Sequence, residues 1–133
     1  MSNAHTYEIR VYVEEEGSGD RYLFVEMLYV DGKPVMLASP VLLALLIGTG
    51  ATDVELAVAP ERGLPPDLSL AVQLEATREH PQHPTWLNPA ELAEAEARYH
   101  ALTGKHEPHV RHLLERMKGR GNWRVVVWLA SEV

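Results

Sequence analysis

Two stretches near opposite ends of this chain carry strand-like alternation, and the fold must accommodate both. Tyr7, Ile9, Val11 and Val13 alternate with Glu8, Arg10, Tyr12 and Glu14, the period of a half-buried strand. From Asn122 to Ala130, Trp123, Val125, Val127 and Leu129 fall on one face, and Arg124, Val126, Trp128 and Ala130 on the other. Helical signals lie between them. Ser39-Pro40 offers an N-cap followed by proline at the first helical position, which predicts a short buried helix over 41–47. Asn88-Pro89-Ala90-Glu91 has the form of a capping box, opening a helix that runs to Thr103 and stops at Gly104. A further helix, from Glu107 to Lys118, begins at Pro108 and ends at Gly119.

The remaining segments read as follows. Arg21 to Val30 is apolar on both faces except at Glu26, as a central strand would be. Asp31-Gly32 signals a hairpin turn, returning the chain through Lys33-Pro34 to a short strand at 35–37. Val54 to Val58 reads as another strand. Leu68, Leu70, Val72 and Leu74 alternate with Ser69, Ala71, Gln73 and Glu75, which again favours a strand. The stretch 79–89 contains Pro81, Pro84 and Pro89, so irregular structure is expected there. Soft loops are expected near 60–66 and 79–89. The prediction is one α+β domain over residues 1–133. It has an antiparallel meander-like sheet, a short buried helix, and a C-terminal helical hairpin followed by a last strand.

With 133 residues and no cysteine, such a domain rests on its apolar core, and disulfides, thiolate zinc sites and cysteine nucleophiles are excluded. The most apolar window, Val35 to Ile47, is too short to span a bilayer. The first apolar run is interrupted by Glu8 and Arg10, unlike a signal peptide. The expectation is a cytoplasmic protein with no membrane partner.

Catalytic templates fail one by one. Gly48-Thr49-Gly50-Ala51 is not a dinucleotide fingerprint, because Asp53 stands where a third glycine is needed. The serines sit in no nucleophile elbow, and no Gly-Lys-Ser/Thr triplet occurs. The ten residues from Ala44 to Asp53 resemble the active-site region of retropepsin-like aspartic proteases. Gly48 holds the position of the catalytic aspartate, however, so the resemblance implies no water-activating carboxylate pair.

Histidine and charge carry what remains. Six of seven histidines fall in the 33 residues from His80 to His112: His80, His83, His100, His106, His109 and His112. At 100° per residue, Val110, Leu113, Leu114 and Met117 form the apolar stripe of the last helix, while His109, His112 and Arg116 share another face. A metal reading takes His100, His109 and His112 as ligands of a divalent transition metal such as zinc. Arg116 on the same face opposes it, and His106-Glu107-Pro108-His109 is not a His-Glu-x-x-His motif. An anion suits that face better.

Residues 1–77 hold twelve acids against four bases, or −8, whereas residues 78–133 hold seven against eight, or +1. This asymmetry predicts a small acidic interaction or regulatory protein without catalysis of its own and with no cofactor. It would dock onto a macromolecule through a basic side (His109, His112, Arg116, Lys118, Arg120), an acidic hairpin side (Glu14, Glu15, Glu16), or both. A protein partner is expected, for example a nucleic-acid-handling enzyme. Direct nucleic-acid binding through 111–124 is a weaker alternative, and the sequence leaves homodimerisation open.

Overall fold

A computed structural model describes residues 7–17, 22–28, 36–47 and 57–129. Its elements in chain order are β1 (Tyr7–Glu16), β2 (Tyr22–Met27), β3 (Met36–Ala38), α1 (Pro40–Leu46), α2 (Leu70–Glu79), β4 (Gln82–Leu87), α3 (Pro89–Thr103), α4 (Pro108–Met117) and β5 (Trp123–Leu129). This is the α+β architecture the sequence predicts: an antiparallel sheet, a short buried helix α1, and the hairpin of α3 and α4 leading into a last strand.

The order across the sheet is β2-β1-β5-β4, with β3 beside the start of β1, and every pair is antiparallel. The two alternating stretches from opposite chain ends are therefore neighbours, in register from Ile9↔Leu129 to Glu15↔Trp123. Alternation sends their side chains to two cores. Ile9, Val11, Val13, Trp123, Val125 and Val127 join the buried residues of α1, α3 and α4. Tyr12, Val126 and Trp128 meet Leu68, Val72 and Ala76 on the other face. Helices thus cover the sheet on both sides, and β5 has apolar residues buried on each.

Local chemistry sets the helix starts. Ser39 accepts a hydrogen bond from Leu42 N, and Asn88 with Glu91 completes a reciprocal capping box. Glu107 caps α4 by accepting from Val110 N at 2.8 Å. Val110, Leu113 and Met117 are buried as the helical period requires, with Leu114 partly buried beside them.

Four expectations are corrected. The alternating segment after Leu68 is helix α2, capped by Ser69, whose side chain accepts from Val72 N. The proline-rich stretch contains strand β4, with Pro84 inside it. β4 lies at the outer edge of the sheet, and its register slips between Gln82 and Thr85. An edge and a bulge are where a residue lacking an N–H is tolerated. Among the described residues β2 pairs only with β1, and Leu23 and Phe24 on it are exposed, unlike a central strand apolar and buried on both faces. Finally, β2 and β3 both run antiparallel to β1 along the same edge, opposite residues 12–16 and 7–9. The two strands therefore run in the same direction and do not pair with each other as a hairpin; Asp31-Gly32 itself lies outside the described residues. Of the strand expected at 54–58, only Ala57 and Val58 are described, and neither is in a strand.

Candidate functional site

The six histidines that cluster in sequence do not gather in one place. His80 closes α2 in the left-handed conformation, and His83 on β4, also at positive φ, places Nδ1 3.0 Å from Glu61 Oε1. His100 stacks on His106 with ring centroids 3.9 Å apart and planes 5° from parallel. His106 Nδ1 lies 2.8 Å from Oε1 of Glu96, a buried carboxylate that also accepts from Glu107 N. His109 and His112 stand elsewhere, on α4. Among the described residues, no three His, Asp or Glu side chains gather in a way that could hold a metal ion. The set His100, His109 and His112 is therefore not brought together as a ligand sphere.

His109, His112 and Arg116 do come together, as their helical spacing requires. With Val110, Leu113 and Met117 packed into the core, these three face the end of β2. They line one wall of a groove of about 320 Å³, and Glu26, Met27 and Leu28 line the other. Arg116 donates from Nε at 3.2 Å and Nη2 at 2.8 Å, both to Oε1 of Glu26. The two side chains are 48% and 35% exposed, so water competes for the pair and it is readily exchanged. Arg111 and Lys118, on the exposed side of the same helix and its cap, have no carboxylate partner among the described residues.

The acidic candidates are disposed differently. Antiparallel pairing sets Glu14 opposite Arg124, and Glu14 is fully buried. Arg124 Nε donates to Glu14 Oε1 at 2.9 Å, Arg124 Nη1 donates to Asp67 at 2.8 Å, and the guanidinium lies 3.6 Å from the Tyr22 ring centroid. Ser69 N donates to the other Glu14 oxygen at 2.8 Å. Glu15 accepts from Arg120 at 2.9 Å and Glu16 from Asn122 at 3.0 Å. Glu14, Glu15 and Glu16 are thus each engaged by a residue between Arg120 and Arg124. Glu14 is an interior residue, and Arg120 is engaged with Glu15.

Glu26, Met27 and Leu28 are the groove residues that sequence reasoning missed. They lie some eighty or ninety positions from α4, and no local signal ties them to it. No known family model, characterised protein or solved structure matches this chain. Among the described residues no helix is long and apolar enough to cross a membrane.

Proposed function

We propose that the protein is a non-catalytic interaction module that docks onto an acidic protein partner through the exposed basic side of α4. His109, His112, Arg116 and Lys118 carry the contact, with Arg111 beside them and Arg120 at its margin. One contrast supports this reading. The Glu14, Glu15 and Glu16 carboxylates are spent on Arg124, Arg120 and Asn122, whereas Arg111 and Lys118 have no carboxylate partner among the described residues. The net charge of −7 does not oppose such docking, because at physiological salt charges beyond roughly 8 Å are largely screened. A local run of cations therefore governs what approaches α4. The compartment is taken to be the cytoplasm, as the sequence leads one to expect.

The test is affinity capture from the native lysate with the wild-type chain and with the charge-reversed variant Arg111→Glu/His112→Glu/Lys118→Glu. The reading expects a species retained near 50 mM salt, released near 300 mM, and absent from the variant. Equal retention by the variant overturns it.

A further inference from the structure

We propose that the outward face of α2, centred on Leu70 and Leu74, pairs with the same face of a second copy of this chain. The two helices lie antiparallel about a two-fold axis, in a weak and reversible dimer. The pairing does not depend on the docking reading above. Three observations carry it.

First, α2 is apolar on two opposite faces. Leu68, Val72 and Ala76 pack onto the sheet. At 3.6 residues per turn, Leu70 and Leu74 each stand about 160° from Val72. They are more exposed than any other large apolar side chain among the described residues. A helix at a protein surface ordinarily turns a polar face to solvent, and one with apolar residues on opposite sides is covered on both. The strand-like alternation of 68–74 has this origin: one set of positions serves the sheet and the other is left for a partner. Phe24 pairs with Glu14 and so shares its side of the sheet, the side on which Ser69 N donates to Glu14. Phe24 is exposed as well, which adds apolar surface on the α2 side.

Second, the charged side chains of α2 are engaged within the chain. Arg78 pairs with Glu75 at 3.0 Å, and Glu79 accepts from both Arg10 and Trp128 Nε1. Asp67, just before the helix, is held by Arg124. A charged partner therefore meets no waiting counter-charge on α2. A second copy brings no unpaired charge to be stranded at the contact, which is the costly event when charges are buried.

Third, the spacing is self-complementary. In an antiparallel pair Leu70 of each copy meets Leu74 of the other, so one isologous contact covers all the leucines involved. Parallel pairing would set Arg78 beside Arg78, a like-charge contact that the antiparallel arrangement avoids.

Size sets the strength. α2 has 10 residues, so its face is about 15 Å long. A contact along one such helix falls short of the roughly 1,000 Å² that a stable specific interface clears, and the dimer is accordingly transient. α4 packs on the opposite side of the sheet from α2. Pairing through α2 thus leaves the α4 of each copy uncovered, and under the docking reading the dimer presents that face twice, with the gain in avidity that two linked sites bring.

The experiment is sedimentation equilibrium of the full chain from about 10 µM to about 1 mM, the range of a weak transient contact. We expect the weight-average mass to rise from one chain toward two across that range. Leu70→Gln/Leu74→Gln should weaken association at least about tenfold, the size of about 1.4 kcal/mol, with an unchanged melting temperature because both side chains are exposed. Leu74→Lys alone should act in the same direction, and Leu102→Gln, exposed on α3, should leave association intact. Because the chain has no cysteine, single introduced cysteines report the geometry. Leu70→Cys mixed with Leu74→Cys should form disulfide-linked dimers faster under mild oxidation than either variant alone. A chain that stays monomeric at about 1 mM overturns the proposal, as does a dimer that survives both Leu70→Gln/Leu74→Gln and Leu74→Lys. Faster cross-linking of either cysteine variant with itself than in the mixture overturns the antiparallel pairing. The lysate capture decides the docking reading separately.

Discussion

Arg124 and Glu14 face each other across the two central strands at 2.9 Å, with the guanidinium side chain 6% exposed and the carboxylate not exposed at all. Dry ion pairs are asymmetric: removing one partner strands a buried charge, whereas removing both does not. Arg124→Leu should cost about 3–5 kcal/mol, and adding Glu14→Leu should restore much of that loss. Urea unfolding of the two singles and the double tests this. A double variant as unstable as the sum of the singles would show that the pair contributes nothing as a pair.

On the α2 side of the sheet, Tyr12 is 1% exposed and its hydroxyl has no hydrogen-bond partner among the described residues. Burial first, then the Glu79 and Glu75 carboxylates, push its ionisation well above the ordinary 10.0. A group whose folded pKa is raised contributes stability that is fully present below its unfolded value and lost as pH rises above it. Tyr12→Phe should therefore be neutral or stabilising by up to about 1 kcal/mol at pH 7. It should also flatten the alkaline loss of stability above about pH 10. Thermal melts of both proteins at neutral and alkaline pH test this; a variant clearly less stable than wild type would reveal a partner for the hydroxyl.

The sequence made the strand ends legible because β1 and β5 bury alternating positions, and it made α3 and α4 legible because caps and glycine stops bracket them. α2 was ambiguous for a specific reason. Leucine or valine at 68, 70, 72 and 74 satisfies a period of two, but Leu68, Val72 and Ala76 also satisfy a spacing of four. The helix wins: Val72 and Ala76 are buried, while Leu70 and Leu74 are 63% and 67% exposed. Ser69 as N-cap, followed by Leu, Ala, Gln and Glu, was the deciding local signal. β4 was hidden by Pro84, whose exclusion from strands lapses at an edge. At the groove, the α4 wall followed from helical periodicity, whereas Glu26 lies ninety residues from Arg116 and only tertiary packing brings them together.

The cap of α3 gives a local test. Asn88 Oδ1 accepts from Glu91 N at 2.8 Å, and Glu91 Oε1 accepts from Asn88 N at 3.0 Å. Asn88→Ala removes half of this reciprocal pair and should cost about 1 kcal/mol. Because α3 packs Leu92 and Ala95 into the main core, the loss should appear as a lower global unfolding midpoint. A change confined to local amide exchange in the first turn of α3 would show that the cap is uncoupled from the fold.

Glu91 is also the acid-sensitive tie between the 60–66 loop and the rest of the domain. Arg62 donates to its two oxygens at 2.7 and 2.5 Å, and Arg62 also holds Trp86 O and stacks over the Trp86 ring at 4.3 Å. The hydrogen bonds from Arg62 are the main cause that holds the Glu91 carboxyl below its ordinary 4.5; the Asn88 N–H and the Arg62 charge add to them, and burial opposes them. A depressed carboxyl contributes stability that is present above the unfolded pKa and lost as pH falls through the folded one. Glu91→Gln keeps an oxygen for the cap but removes the charge, so it should cost about 1–2 kcal/mol at pH 7. As the solution is acidified below 4.5, the wild-type chain should lose this advantage and converge on the variant. Urea unfolding of both proteins across that range measures the gap directly. A gap that stays constant with pH would place the stabilisation in packing against Trp86 and not in the Glu91 charge.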